Sequence, residues 1–147
     1  MGMKKVIALA GVHDSGKTTV LLGLLAKLKG TQGVPCQSIV TSVPVANGSD
    51  RREVLQYNTT IGTVRIGVCT GGDTKGIIQD NFTFLNGNSC DIGFTACRSA
   101  ASSDTVKEVI AQSGNVIPLF VAKMQTPAVR QQQIDAHTVD QLIAMIP

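Results

Sequence analysis

The sequence predicts the α/β class, a three-layer α/β/α domain on a five-stranded, mostly parallel sheet, from three observations. Aromatic residues make up 3% of the chain and hydrophobic residues 43%, so the core must be built from Val, Ile, Leu and Ala, which fill parallel sheets and their covering helices. Short unbroken apolar runs alternate with segments of helical period, the order that βα repeats produce. The first apolar run passes into the first helical segment through a glycine-bounded turn. With 147 residues, 16% of them charged, the chain forms one compact domain, residues 1–147.

Val6 to Ala10 is an apolar run between lysines and a glycine, as expected of a strand buried on both faces, and is the first strand. Thr18 to Lys29 carries Val20, Leu21, Leu22, Leu24, Leu25 and Leu28 and closes at Gly30, with Gly33 and Pro35 beyond, which predicts a buried helix. Ser38 to Val43 is β-branched and stops at Pro44, giving a second strand, and the loop after it runs through Asn47-Gly48. Arg51 to Tyr57 admits two readings. One is a helical turn capped by Asp50 with Glu53 three residues on; the other is an extended segment leading into the next strand.

Thr63 to Thr70 is the third strand and ends in Gly71-Gly72-Asp73, after which Ile77, Ile78, Phe82 and Leu85 fall at helical spacing. Asp91 to Cys97 is the fourth strand. Thr105 to Gln112 is a helix with Val106, Val109 and Ile110 on one side, and Val116 to Ala122 is the fifth strand, where Pro118 speaks against a central position. In the last stretch, Val129 to Ile146, the residues Ile134, Val139, Leu142, Ile143 and Ile146 stand at the intervals of a docking helix.

The glycine turn carries the chemistry. Gly11-Val12-His13-Asp14-Ser15-Gly16-Lys17-Thr18 fits G-x-x-x-x-G-K-[ST] between a strand and a helix, the context this motif requires. With 15 Gly, 8 Lys and 23 Ser plus Thr, the composition yields about 0.01 chance matches in the whole chain, so a bland glycine turn with an exposed lysine is the weaker explanation. A triphosphate needs several donors converging on a small volume, and glycines let backbone N–H groups point inward without side chains in the way. Lys17 adds a positive charge near the β and γ oxygens, and the helix N-terminus favours the anion. Thr18 offers a hydroxyl to Mg²⁺ bridging the same phosphates, and Thr19 lies within reach of the α phosphate.

On these residues the segment from Lys4 to Leu28 resembles the start of a P-loop NTPase, about one sixth of the chain. The resemblance implies ATP or GTP bound with Mg²⁺ on a parallel sheet; the rest of the chain matches only in the order of its elements. Guanine-specific GTPases carry Asn-Lys-x-Asp after the fifth strand, whose carboxylate reads guanine N–H groups, whereas this chain has Ala122-Lys123-Met124-Gln125. Adenine is therefore expected to be accepted at least as well as guanine. Val12 stands where partition-type ATPases carry a second lysine, and the short connection Arg98 to Ser103 leaves no room for the arginine-bearing lid of nucleoside monophosphate kinases.

Asp73 follows the third strand, where ligands of open α/β sheets bind, and is the expected second metal-side carboxylate beside Thr18; the competing reading is an N-cap for a helix starting at Thr74. Asp73-Thr-Lys-Gly76 also satisfies D-x-x-G, a short pattern of little weight. Asp14 and His13 lie within the loop and can face the γ phosphate or a second substrate. Arg98 ends its strand on the ligand side as a phosphate contact, and Lys123 stands where a base commonly stacks; exposed loop positions are the alternative for both. Arg51 and Arg52 stand where small-molecule kinases hold an acceptor, or begin a solvated helix. Asp91 opens its strand at the opposite edge and reads as structural, and His137 reads as a surface histidine.

A net charge of +3, from 13 basic and 10 acidic residues scattered along the chain, is too weak and dispersed to mark a nucleic-acid or anionic-membrane surface. Cys36, Cys69, Cys90 and Cys97 form no C-x-x-C pair and no zinc set, and read as reduced, buried thiols. The apolar run at Val6 to Ala10 is too short for a signal or membrane segment, so a cytoplasmic location is expected. The functional expectation is slow Mg²⁺-dependent hydrolysis of a nucleoside triphosphate whose bound state governs a protein partner. The alternative is phosphoryl transfer to a small-molecule acceptor. The intact Gly16-Lys17-Thr18 argues against a binding module without catalysis.

Overall fold

The computed structural model describes residues 5–11, 17–30, 36–44, 50–59, 62–72, 74–98, 108–109, 111, 118–120, 137–144 and 146. The elements in chain order are β1 (Lys5–Gly11), α1 (Lys17–Lys29), β2 (Gln37–Pro44), β3 (Arg51–Thr59), β4 (Gly62–Cys69), α2 (Lys75–Gly87), β5 (Ile92–Arg98) and β6 (Pro118–Phe120). They form an α/β structure on a mixed six-stranded sheet of order β2-β3-β4-β5-β1-β6. Strands β4, β5, β1 and β6 run parallel, whereas β3 is antiparallel to both β2 and β4.

The expected five-stranded, mostly parallel sheet is corrected here by one strand. The stretch after Asp50 is not a helical turn but extended, as the second reading had it, and forms a strand of its own, β3, paired with β4 from Arg52↔Cys69 to Thr59↔Gly62. Its side chains alternate across the sheet. Leu55 and Tyr57 join the core beneath α1, while Val54 joins the core beneath α2. Burial on both faces at a period of two is incompatible with one helical turn and supports an interior strand.

Strand β1 separates the two cores in the same way. Ile7 and Leu9 face Val20, Leu21, Leu24, Leu25 and Leu28 of α1, and Val6 and Ala8 face Ile78, Phe82 and Leu85 of α2. Each of these fully buried α1 side chains contributes about 1.5–3 kcal/mol of transfer free energy, which holds the helix across the sheet. Residues 137–144 are helical, and Val139, Leu142 and Ile146 complete the core on the α1 face, as the spacing of the last stretch implies. Residues 108, 109 and 111 are helical within the expected helix from Thr105 to Gln112, and Val109 joins the core on the α2 face.

At the margins, β6 pairs with β1 from Val6↔Pro118 to Ala8↔Phe120 and lies at the sheet edge, with proline at its first residue. The other edge, β2, shows register irregularities between Ser38 and Val40 and between Val40 and Val43, a common feature of edge strands. Cys36, Cys69, Cys90 and Cys97 are all buried, and none is in a disulfide. Burial pushes the Cys36 thiol up to about 11 and that of Cys90 up to about 12, and raises Cys69 as well despite the opposing charge of Arg52. These thiols are inert, neutral packing groups at neutral pH. No helix among the described residues is long and apolar enough to cross a membrane.

Candidate functional site

The carboxyl ends of β1 and β5 lie side by side, with Gly11 paired to Arg98. The chain leaving β1 places α1 on one face, and the chain leaving β5 places Val109 on the other. Neighbouring parallel strands whose connections depart to opposite faces leave a crevice at their carboxyl ends, the usual ligand position in open α/β sheets. Gly11 is the last residue of β1, and Lys17 is the first residue of α1. The two ends of the motif therefore flank this crevice; Val12, His13, Asp14, Ser15 and Gly16 lie outside the described residues.

Thr18 is half-buried in the first turn of α1, and Thr19 beside it is exposed. The Thr18 hydroxyl lies 3.1 Å from Asp50 Oδ1 and 3.3 Å from the Thr70 carbonyl, and its single hydrogen serves one of them at a time. The Thr70 hydroxyl donates to the same Asp50 oxygen at 3.3 Å and accepts from Arg51 N–H at 2.8 Å. Thr70 N–H in turn donates to the Arg51 carbonyl at 2.9 Å. Asp50, Thr70 and Thr18 thus form one cluster of oxygens, drawn from the start of β3, the end of β4 and the start of α1.

Two glycines permit this approach. A Cβ at Gly71 would stand 2.9 Å from Asp50 Oδ2, and a Cβ at Gly72 would collide with the Ala96 carbonyl of β5. The turn leaving β4 can lie against both the carboxylate and the neighbouring strand only without side chains at these positions.

Among the described residues the carboxylate that reaches Thr18 is Asp50. Asp73, the carboxylate expected there, lies outside them. The alternative reading of Asp73 as a cap is displaced, because the N-cap of α2 is Thr74, whose hydroxyl accepts from Ile77 N–H at 3.2 Å. The signal for Asp50 lay in strand direction. A residue that opens a parallel strand sits at the far edge, as Asp91 does, but one that opens an antiparallel strand sits at the carboxyl edge.

The remaining expectations divide. Arg98 ends β5 at the crevice, and Lys123 lies outside the described residues. Arg51 is held through its backbone to Thr70, and its Nη1 approaches the Asp50 carbonyl at 3.4 Å. Arg52 lies on β3 rather than on a solvated helix, and its Nε donates to Asn81 Oδ1 at 2.8 Å. Asp91 accepts from Arg65 N–H at 2.9 Å at the opposite edge, and His137 is exposed, both as expected.

Among the described residues no group of three or more His, Cys, Asp or Glu side chains could hold a metal ion by itself. The oxygen cluster at Thr18 and Asp50 is instead of the hard, sparse kind that suits Mg²⁺, which keeps several waters and takes one or two protein ligands together with phosphates. No protein-family model, no curated protein and no solved structure matches this chain significantly.

Proposed function

We propose that this chain is a P-loop protein of three-layer α/β/α architecture that binds a purine nucleoside triphosphate with Mg²⁺ and hydrolyses it slowly, its nucleotide state governing a partner. One observation carries the reading. The hydroxyl of Thr18, which closes the G-x-x-x-x-G-K-T run, meets the carboxylate of Asp50 at 3.1 Å at the carboxyl edge of the sheet. A hydroxyl at the helix N-terminus next to a carboxylate is the donor set that a phosphate-bound Mg²⁺ takes. The helices on both faces of the sheet and the crevice between β1 and β5 support the same reading.

In this reading the backbone N–H groups of residues 12–16 and the side chain of Lys17 bind the phosphates, Thr18 and Asp50 hold the metal, and Asp73 is the further metal-side carboxylate expected from the sequence. The metal supplies charge neutralisation of the β and γ oxygens. Charge stabilisation by Lys17 and Arg98 without an evident residue to orient water makes unassisted hydrolysis slow, and an arginine delivered by a partner contributes about 10³–10⁵ in such reactions.

Thermal unfolding tests the proposal. ATP or GTP with Mg²⁺ at a hundredfold excess over its dissociation constant should stabilise the native state by about 2.7 kcal/mol. Lys17→Ala should remove most of that shift. An equal shift in the variant would show that the ligand binds elsewhere, and no shift in the wild type would refute nucleotide binding.

A further inference from the structure

Helix α2 turns Ile78, Phe82 and Leu85 into the core, and Asn81 stands fully buried on the same stripe. Leucine or alanine there would favour the helix and bury no amide, so an asparagine at this position is costly unless every polar atom is matched. It is matched. Asn81 Nδ2 donates to the Gly71 carbonyl at 2.9 Å and to Thr95 Oγ1 at 3.0 Å, and Oδ1 accepts from Arg52 Nε at 2.8 Å. The three partners come from the turn after β4, from β5 and from β3, so one side chain joins α2 to three segments. Thr95, also fully buried, donates onward to the Ala96 carbonyl, the group against which Gly72 is packed.

The place of this network explains its use. Gly71 is adjacent to Thr70, whose hydroxyl and carbonyl orient Asp50 and Thr18, and a Gly71 side chain would press on Asp50 itself. Arg52 is two residues beyond Asp50. Asn81 therefore grips both strands of the β3–β4 pair at the end where the carboxylate sits, without touching the carboxylate.

We propose that Asn81 is a positioning residue for the metal-side half of the nucleotide site, fixing the Gly71 turn and thereby the Thr70–Asp50–Thr18 cluster, and that it couples α2 to occupancy of that half. The inference rests on the nucleotide reading above. It has a reciprocal consequence, because a helix that holds the metal-side turn is held in return when Mg²⁺ and nucleotide fill it.

The test compares nucleotide affinity in Mg²⁺ with that in EDTA. Asn81→Asp keeps the acceptor for Arg52 and sets an oxygen against the Gly71 carbonyl in place of a donor. It should cut the Mg²⁺-dependent gain in affinity about tenfold or more while affinity in EDTA stays within about twofold, the loss expected when one buried hydrogen bond is replaced by a repulsion. Thr95→Val leaves the Gly71 bond intact and should keep the gain.

A parallel fall of both affinities in Asn81→Asp would mark a purely structural role and overturn the proposal, as would an unchanged gain. Equal losses in Thr95→Val would overturn the assignment to the Gly71 bond. Should Asn81→Asp fail to fold, hydrogen exchange of the wild type decides: Mg²⁺ with nucleotide must slow the amides of residues 77–85 more than nucleotide in EDTA does. Mg²⁺-dependent binding with no response in α2 overturns this inference alone, whereas a wild type that binds no nucleotide overturns the functional reading beneath it.

Discussion

The paired strands β3 and β4 meet an aspartate at each end, and the two are used in opposite ways. At the far edge Asp91 accepts from the backbone N–H of Arg65, and its own N–H donates to the Arg65 carbonyl, both at 2.9 Å. The guanidinium of Arg65 closes that corner by donating to the Asn88 carbonyl and to Gln56 Oε1. At the carboxyl edge the Asp50 carboxylate receives, among the described residues, only hydroxyls, from Thr18 and Thr70. A carboxylate that satisfies the main chain is committed to holding it, since releasing it strands a backbone donor. Hydroxyl donors turn about one bond and can be re-engaged by water or a ligand at little cost. The partner atoms therefore separate a structural carboxylate from one available for binding.

The comparison is broken most forcefully at Gly72. Its Cβ would meet the backbone carbonyl of Ala96, which cannot swing aside as a side chain can. Gly72→Ala is expected to destabilise the protein by about 3 kcal/mol or more and to disturb the carboxyl edge with it. Urea unfolding checks this; a near-native midpoint would mean that the turn and β5 separate easily, and that Asp50 is not held from below.

The interior between the two edges answers to pH. The Cys36 thiol is raised to about 11 and the Cys90 thiol to about 12, above their unfolded values, so the native state retains protons that the unfolded chain releases. Stability is thus fully present below the unfolded thiol pKa and falls as pH rises from about 9 toward 11, by about 1.4 kcal/mol per thiol for each pH unit inside the window. Denaturant midpoints at pH 8 and 10 measure it. Cys36→Ala should flatten part of the decline, and a decline unaltered by that change would place its origin elsewhere.

Asp91→Ala sharpens the comparison from the structural side. Loss of the acceptor for Arg65 N–H should cost about 1–3 kcal/mol. Nucleotide affinity, with or without Mg²⁺, should be that of the wild type once the protein is folded. A change in metal dependence would show that the far edge communicates with the site and that the division between the two aspartates is too simple.

The same division explains what the sequence disclosed. Apolar runs such as Val6 to Ala10 and the stripes of Leu21, Leu24 and Leu28 announce the parallel strands and α1 because burial alone selects them. Pro118 correctly signalled an edge strand. The segment from Arg51 to Tyr57 mixes charge with apolar residues, so its local pattern serves a capped turn nearly as well as a strand, and only pairing with β4 decides. Asp50 was hidden for the same reason, since its position depends on the direction of a strand that was itself ambiguous. Asn81 carried no local signal, because an asparagine on a helical stripe is meaningful only when Gly71, Thr95 and Arg52 are seen around it.

Asp50→Asn carries the smallest expected change in stability and the sharpest test of the comparison. The amide oxygen of asparagine still accepts from the Thr18 and Thr70 hydroxyls, and the half-exposed site imposes little desolvation, so stability should move by no more than about 0.5 kcal/mol. What is lost is the charge that a divalent cation needs, and the Mg²⁺-dependent gain in nucleotide affinity should fall about tenfold or more, with affinity in EDTA unchanged. Asp73→Asn, measured alongside, separates the two carboxylates. As Thr74 supplies the cap of α2, that variant should leave stability alone, and its effect on metal dependence reports whether Asp73 joins the site. A full loss in Asp73→Asn together with wild-type metal dependence in Asp50→Asn would return the metal-side role to Asp73 and leave Asp50 as a scaffold residue like Asp91.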